Sequence, residues 1–66
     1  MKVGKVISYD DVTGYIESDN IKYLFLDRDK NENIKVGDIV IFDDVLIHNI
    51  YRAYSIVRKK ELWKSI

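Results

Sequence analysis

The stretch "TGYIESDNIKYLFLD", Thr13 to Asp27, sets three aromatic rings, Tyr15, Tyr23 and Phe25, within eleven positions. Aromatic faces spaced this way can stack on the bases of a single-stranded nucleic acid. Each stacked base contributes roughly 1–3 kcal/mol with little regard to sequence. Lysine and arginine beside the rings would follow the phosphates, and Lys5 and Arg52 are the best placed by type and position. Tyr9 adds a fourth ring nearby. Tyrosine suits a half-exposed site because its hydroxyl stays in water while the ring stacks. Each residue also has a plain structural reading, in which the rings fill a core and the cations are solvated charges.

Other chemistry finds less support. The single histidine, His48, stands in "LIHNI" with no cysteine in the chain and no serine nearby. Asp43-Asp44, or Asp27 with Asp29, could hold a cation only weakly, since neither spacing resembles a calcium loop. The three glycines, Gly4, Gly14 and Gly37, are too scattered for a phosphate loop. The expectation is a protein that is not an enzyme, with no metal and no cofactor.

The elements that must position the rings are strands. Apolar residues recur mostly with period two, and Val, Ile and Tyr are abundant. Strands are expected over Lys2 to Tyr9, Gly14 to Glu17, Ile21 to Leu26, Asp38 to Phe42 and Ile50 to Val57. The polar "ESDN" joins the second and third as a hairpin, and "DRDKNEN" reads as a loop. Gly37 is a candidate for positive φ, and "DDVLIHN" reads as a connection. The tail "RKKELWKSI" loses the alternation and is too short to hold a helix alone.

With 66 residues the chain is one domain. The expected division is a barrel over 1–58 and a C-terminal tail or helical turn over 59–66. Five short strands in so small a chain suit a closed or nearly closed antiparallel barrel, which removes exposed sheet edges. An SH3-like barrel has the same strand count. The formal net charge is zero, which excludes a strongly basic nucleic-acid binder. The charges are unevenly spread, at +2 over residues 1–9, −6 over 10–50 and +4 over 51–66. The opening "MKVGKVIS" has no apolar run of signal-peptide or membrane-span length. With cysteine absent, a reducing, cytoplasmic setting is expected.

Which face the rings occupy depends on strand register. Residues two apart share a face, so Tyr23 and Phe25 point together and Leu24 and Leu26 point the other way. One register sets Tyr15, Tyr23 and Phe25 outward over a core of Ile16, Leu24 and Leu26. The other reverses them, because a one-residue slip exchanges the faces. The outward register is expected, since paired exposed leucines would be unusual. Val6, Ile16, Leu24, Val40 and Ile56 then form the expected core.

In chain order, "GKVISYD", "TGYIES", "KYLFLD", "IKVGDIVIF" and "RAYSIVRK" resemble a cold-shock domain, a five-stranded OB-fold, over about residues 4–58. The likeness lies in the order and spacing of these pieces. It implies outward stacking aromatics near Tyr9, Tyr15, Tyr23 and Phe25, single-stranded RNA or DNA as partner, and an RNA-chaperone role. Several positions depart from the pattern. The first motif is about two residues short, "DDVTG" replaces its lysine, one glycine and one phenylalanine, and Ser8 stands where tryptophan is usual. The third strand has no histidine, and "DRDKNEN" is shorter and lacks an aromatic.

Two functions remain open. In the first, the barrel binds single-stranded nucleic acid by stacking, through Lys5, Tyr9, Tyr15, Tyr23, Phe25 and Arg52. In the second, an OB-like or SH3-like barrel has lost that activity and binds another protein through the 45–50 loop or the tail. Neither involves a membrane.

Overall fold

The computed structural model describes residues 1–59. The tail expected at 59–66 therefore lies outside the described residues apart from Lys59. Five strands form, β1 (Lys2–Tyr9), β2 (Thr13–Ser18), β3 (Ile21–Leu26), β4 (Ile39–Ile47) and β5 (Ile50–Arg58). The only helical element among the described residues is a short 3-10 turn, Asp27–Asp29. No helix among them is long and apolar enough to cross a membrane.

The strands close into a barrel in the order β1-β2-β3-β5-β4. The pairs are antiparallel except β3 with β5, which run parallel and meet at Leu24 and Arg52. β1 closes the barrel against β4. This is the Greek-key barrel of an OB fold, with one parallel seam where a wholly antiparallel barrel was expected.

The β2–β3 hairpin sets the register. Asp19 and Asn20 both hold positive φ, 53° and 66°, the pattern of a two-residue type I′ turn, which asparagine and aspartate tolerate. Ser18 then faces Ile21, Ile16 faces Tyr23, and Gly14 faces Phe25. Directly opposed residues share a face, so once Ile16 points inward both rings must follow.

The core confirms this. Ile16 and Phe25 are fully buried and Tyr23 is 2% exposed, while Leu24 and Leu26 are only half-buried. The outward register expected for Tyr23 and Phe25 is therefore reversed, and Leu24 leaves the expected core. Val6, Val40 and Ile56 are buried as expected, joined by Phe42, Ala53 and the loop residue Ile34. Gly14 explains how Phe25 fits. A Cβ there would overlap the Phe25 ring and come within 2.5 Å of the Ser8 carbonyl oxygen. Tyr23 packs between Phe42 and Tyr51, with ring centroids 5.1 and 5.5 Å away.

Two bulges bend the barrel. One is on β1, where Val6 faces Ile16 but Ser8 faces Tyr15. The other is on β5, where Ser55, at φ 53°, adds a residue between the pairs Ile41–Val57 and Asp43–Tyr54. Gly37, at φ 99°, forms the turn before β4. The stretch read as the connection "DDVLIHN" is mostly strand. β4 continues to Ile47, and His48 and Asn49, at φ 49° and 64°, form a second two-residue turn into β5.

Removing the Phe25 ring leaves a cavity that the closed barrel cannot collapse. Phe25→Ala should cost about 3–5 kcal/mol of folding free energy, and Leu24→Ala, half-buried on the outer face, under about 2 kcal/mol. Urea unfolding of the two variants measures both. A Leu24→Ala loss as large as that of Phe25→Ala would contradict the register.

Candidate nucleic-acid interface

The pairings define one continuous line across the outside of the barrel. Ser8 faces Tyr15, Tyr15 faces Leu24, Leu24 faces Arg52, and Arg52 faces Val45. A second line runs alongside, with Lys5 opposite Glu17 and Glu17 opposite Lys22. Together they make an outer face on β1, β2 and β3 that holds one exposed ring, a half-buried leucine and two exposed lysines around a carboxylate.

The six expected contact residues divide between the two sides of the sheet. Lys5, Tyr15 and Arg52 lie on the outer face, and Tyr15 is 42% exposed. Tyr23 and Phe25 are inside and offer no ring to a ligand. Tyr9 faces Gly14 on the inner side, at the open end of the barrel. Its half-buried ring lies 5.5 Å from that of Phe25. A shallow recess lined by Ser8, Tyr9, Asp10, Thr13, Gly14 and Tyr15 opens between Tyr9 and the outer row.

Arg52 is on the expected face, but its charge is paired. Its Nη2 donates to Asp29 Oδ2 at 3.0 Å, and both side chains are largely covered, at 25% and 14% exposure. The same carboxylate oxygen accepts the Leu26 N–H at 2.9 Å. Asp29 thereby ties the end of β3 to β5. Arg52 Nε is buried without a protein partner. The guanidinium is a structural fixture of the parallel seam, and the phosphate-contact role expected for it has little charge to work with.

Asp27 and Asp10 organise the strand ends. The Tyr9 hydroxyl donates a hydrogen bond to Asp27 Oδ1, and Lys30 Nζ lies 3.3 Å from the same oxygen. Asp10 Oδ1 accepts the N–H groups of Val12 and Thr13 at 3.0 and 2.8 Å. These backbone bonds, that of Thr13 first, hold the Asp10 carboxyl below its ordinary value. Asp27 and Asp29 are thus each engaged with a protein partner rather than paired toward a cation, and no group of three metal-ligating side chains occurs among the described residues.

Residues missed by the sequence reading are Ser8, Lys22 and Leu24 on the outer row, and Tyr54, 42% exposed and opposite Asp43. The signal for them is parity. Taking Asp19-Asn20 alone as the turn sets Lys22 and Leu24 on the same side as Tyr15. Tyr51 and Tyr54, three residues apart on β5, face opposite sides, Tyr51 against the buried Tyr23 ring.

The Tyr9–Asp27 bond carries a pH signature. The hydrogen bond to Asp27, then desolvation and the nearby negative charges, push the Tyr9 hydroxyl from 10.0 up to about 12. The same bond, then Lys30, hold the Asp27 carboxyl below 3.8. A raised tyrosine pKa means the stabilisation is intact below 10.0 and is lost as pH climbs through about 12. A lowered aspartate pKa means it is intact above 3.8 and is lost as pH falls through the depressed value. The Tyr9 ring resonances should titrate near 12, and Asp27→Asn should return them toward 10.0. A wild-type Tyr9 titrating at its ordinary value would show that the bond does not persist in solution.

No protein-family model, no curated protein and no solved structure matches this chain.

Proposed function

We propose that the protein binds single-stranded RNA or DNA, weakly and over a short footprint, on the outer face of β1–β3. The observation that carries this is the Ser8–Tyr15–Leu24 row with Lys5 and Lys22 alongside. It lies on the strand 2–3 surface that OB folds use for oligonucleotides. That step is an analogy of fold, and the chemistry belongs to the side chains. Tyr15 supplies the stacking face, and Leu24 an apolar floor beside it. Lys5 and Lys22 supply two phosphate contacts. The resemblance to cold-shock domains supports the same reading and extends it to RNA-chaperone work in the cytoplasm, where a cysteine-free chain is at home. With Tyr23 and Phe25 inside the barrel, one ring does the stacking that four were expected to share.

A second reading has its own observation. The far part of the β4–β5 hairpin exposes Val45, Leu46, Ile47 and Ile50, a concentration of aliphatic surface that suits protein contact better than phosphate or base.

Fluorescence or NMR titration with oligo-pyrimidine single strands tests the first reading. Tyr15→Ala should weaken binding by roughly 1–3 kcal/mol with little change in unfolding. Two neutralised phosphates at about −0.7 each give a slope of log affinity on log salt of about −1.4, and a slope beyond about −3 would mean that charge dominates. Unchanged affinity in Tyr15→Ala would remove the platform from the mechanism. No binding by the wild-type chain at low salt would leave the protein-contact reading standing.

A further inference from the structure

β4 is paired on both sides only along its first half. β1 begins at Lys2, opposite Phe42, so among the described residues the edge of β4 from Asp43 to Ile47 faces no strand. On its other side the whole segment is held by β5, from Asp43–Tyr54 to Ile47–Ile50. The described residues extend 45 Å along one axis and only 23 and 18 Å across it, as expected of a ribbon projecting from a small barrel.

This edge lacks most protections that edge strands carry. It contains no proline or lysine, and both bulges lie outside it. Only Asp43 and Asp44, at its barrel end, are charged, and the Met1 amino group lies 3.9 Å from Asp43 Oδ1. Side chains are exposed on both faces of the ribbon. Val45, Ile47 and Ile50 lie on the outer side, Leu46 and Tyr51 on the side continuous with the core, and all five are 39–54% exposed. A two-stranded ribbon is marginal in water, and three or more strands are needed for a stable sheet. A row of unpaired backbone groups flanked by aliphatic side chains is a template for another strand.

We propose that this edge pairs with the same edge of a second copy of the chain. A two-fold antiparallel alignment centred on Val45 joins the two ribbons into a four-stranded sheet, β5-β4-β4-β5.

The charge pattern and strand length select this occupant and this centre. About Val45, each Asp43 lies across from Ile47 of the other copy, each Asp44 across from Leu46, and Val45 across from itself. All five extended residues are used, and no carboxylate meets another. Centring on Asp44 would bring two carboxylates together, which is repulsive at a directly opposed position. Centring on Leu46 would bring His48, which sits in the turn at positive φ, into the ladder. A second copy supplies two strands at once and sets its own Val45 and Ile47 on one face, and its Leu46 on the other, beside those of the first copy. A single extended peptide supplies one strand. The contact is isologous and closes at two subunits, so it limits the growth that an open edge invites. It does not depend on the nucleic-acid reading, whose face is Ser8–Tyr15–Leu24.

Sedimentation of the full chain from micromolar to millimolar concentration tests the proposal, together with charge variants at the two-fold centre. The wild-type chain should pass from monomer to dimer across that range. The amide protons along Asp43–Ile47 should gain protection from exchange as it does so. Val45→Lys and Val45→Glu should each be monomeric, because each sets like charges across the axis. An equimolar mixture should sediment as a heterodimer, a recovery that misfolded variants would not show. A wild-type chain that stays monomeric throughout overturns the proposal and leaves the edge to a strand of some other protein. A dimer that survives Val45→Lys overturns it as well, by locating the contact elsewhere.

Discussion

Two residues in left-handed backbone conformation, Asp19 and Asn20, constrain the rest of the molecule. A two-residue loop leaves no freedom in how β2 meets β3, and the pairing Ser18–Ile21 propagates to Ile16–Tyr23 and Gly14–Phe25. Strand parity then admits one choice of interior. With Ile16 inside, Tyr23 and Phe25 are inside, and Tyr15 and Leu24 are outside. The opposite choice would bury Tyr15, Glu17 and Lys22 together, and taking two charges out of water costs more than their mutual attraction returns, even as the Glu17–Lys22 pair.

The interior is consequently aromatic, and its packing explains features that look incidental in the sequence. Phe25 fills the space that Gly14 leaves empty, and Tyr9 closes over it with its hydroxyl on Asp27. Tyr23 lies between Phe42 and Tyr51. Ile34, from the segment between the 3-10 turn and β4, is buried against the same cluster. That segment is anchored by the Asn31 N–H on the Ile56 carbonyl at 2.9 Å. A domain of this size gains little from any single aliphatic side chain. Large rings that each bury much area are an economical way to fill so narrow a barrel.

Much of the fold was legible in the residues. Period-two alternation in Lys2–Tyr9, Ile21–Leu26 and Ile50–Val57 marks strands that the structure contains almost to the residue. Gly37 does hold positive φ. The faces were harder, and the difficulty has one source. A four-residue turn over "ESDN" leaves the register undetermined, and side-chain type alone then argues against exposed leucines. The neighbours of Leu24 outweigh that preference, since Tyr15 and Arg52 flank it on either side and it is half-buried. "DDVLIHN" hides its strand for a related reason. His48-Asn49 forms the same kind of two-residue turn as Asp19-Asn20, but the aliphatic run before it continues a strand beyond the barrel, where no core requires it. The ion pair of Arg52 with Asp29 joins residues 23 positions apart across a parallel seam, and no local pattern announces such a contact.

The molecule thus carries two surfaces of different chemistry. The β1–β3 face is mixed in charge, with Tyr15 as its ring and Lys5 and Lys22 as its cations, and the acids Asp10 and Asp11 border it at the first turn. The distal ribbon of β4 and β5 is nearly uncharged, and among the described residues no strand pairs with its β4 edge beyond Phe42. Arg52 sits at their junction, on the same cross-strand line as Tyr15, Leu24 and Val45. Its pairing with Asp29 neutralises what would otherwise be the strongest anion contact on the line. That pairing ties the end of β3 to β5 at the cost of charge on the outer face. What the line leaves on the outside is the Tyr15 ring, the half-buried Leu24 and the aliphatic Val45, with its one guanidinium already held by a carboxylate.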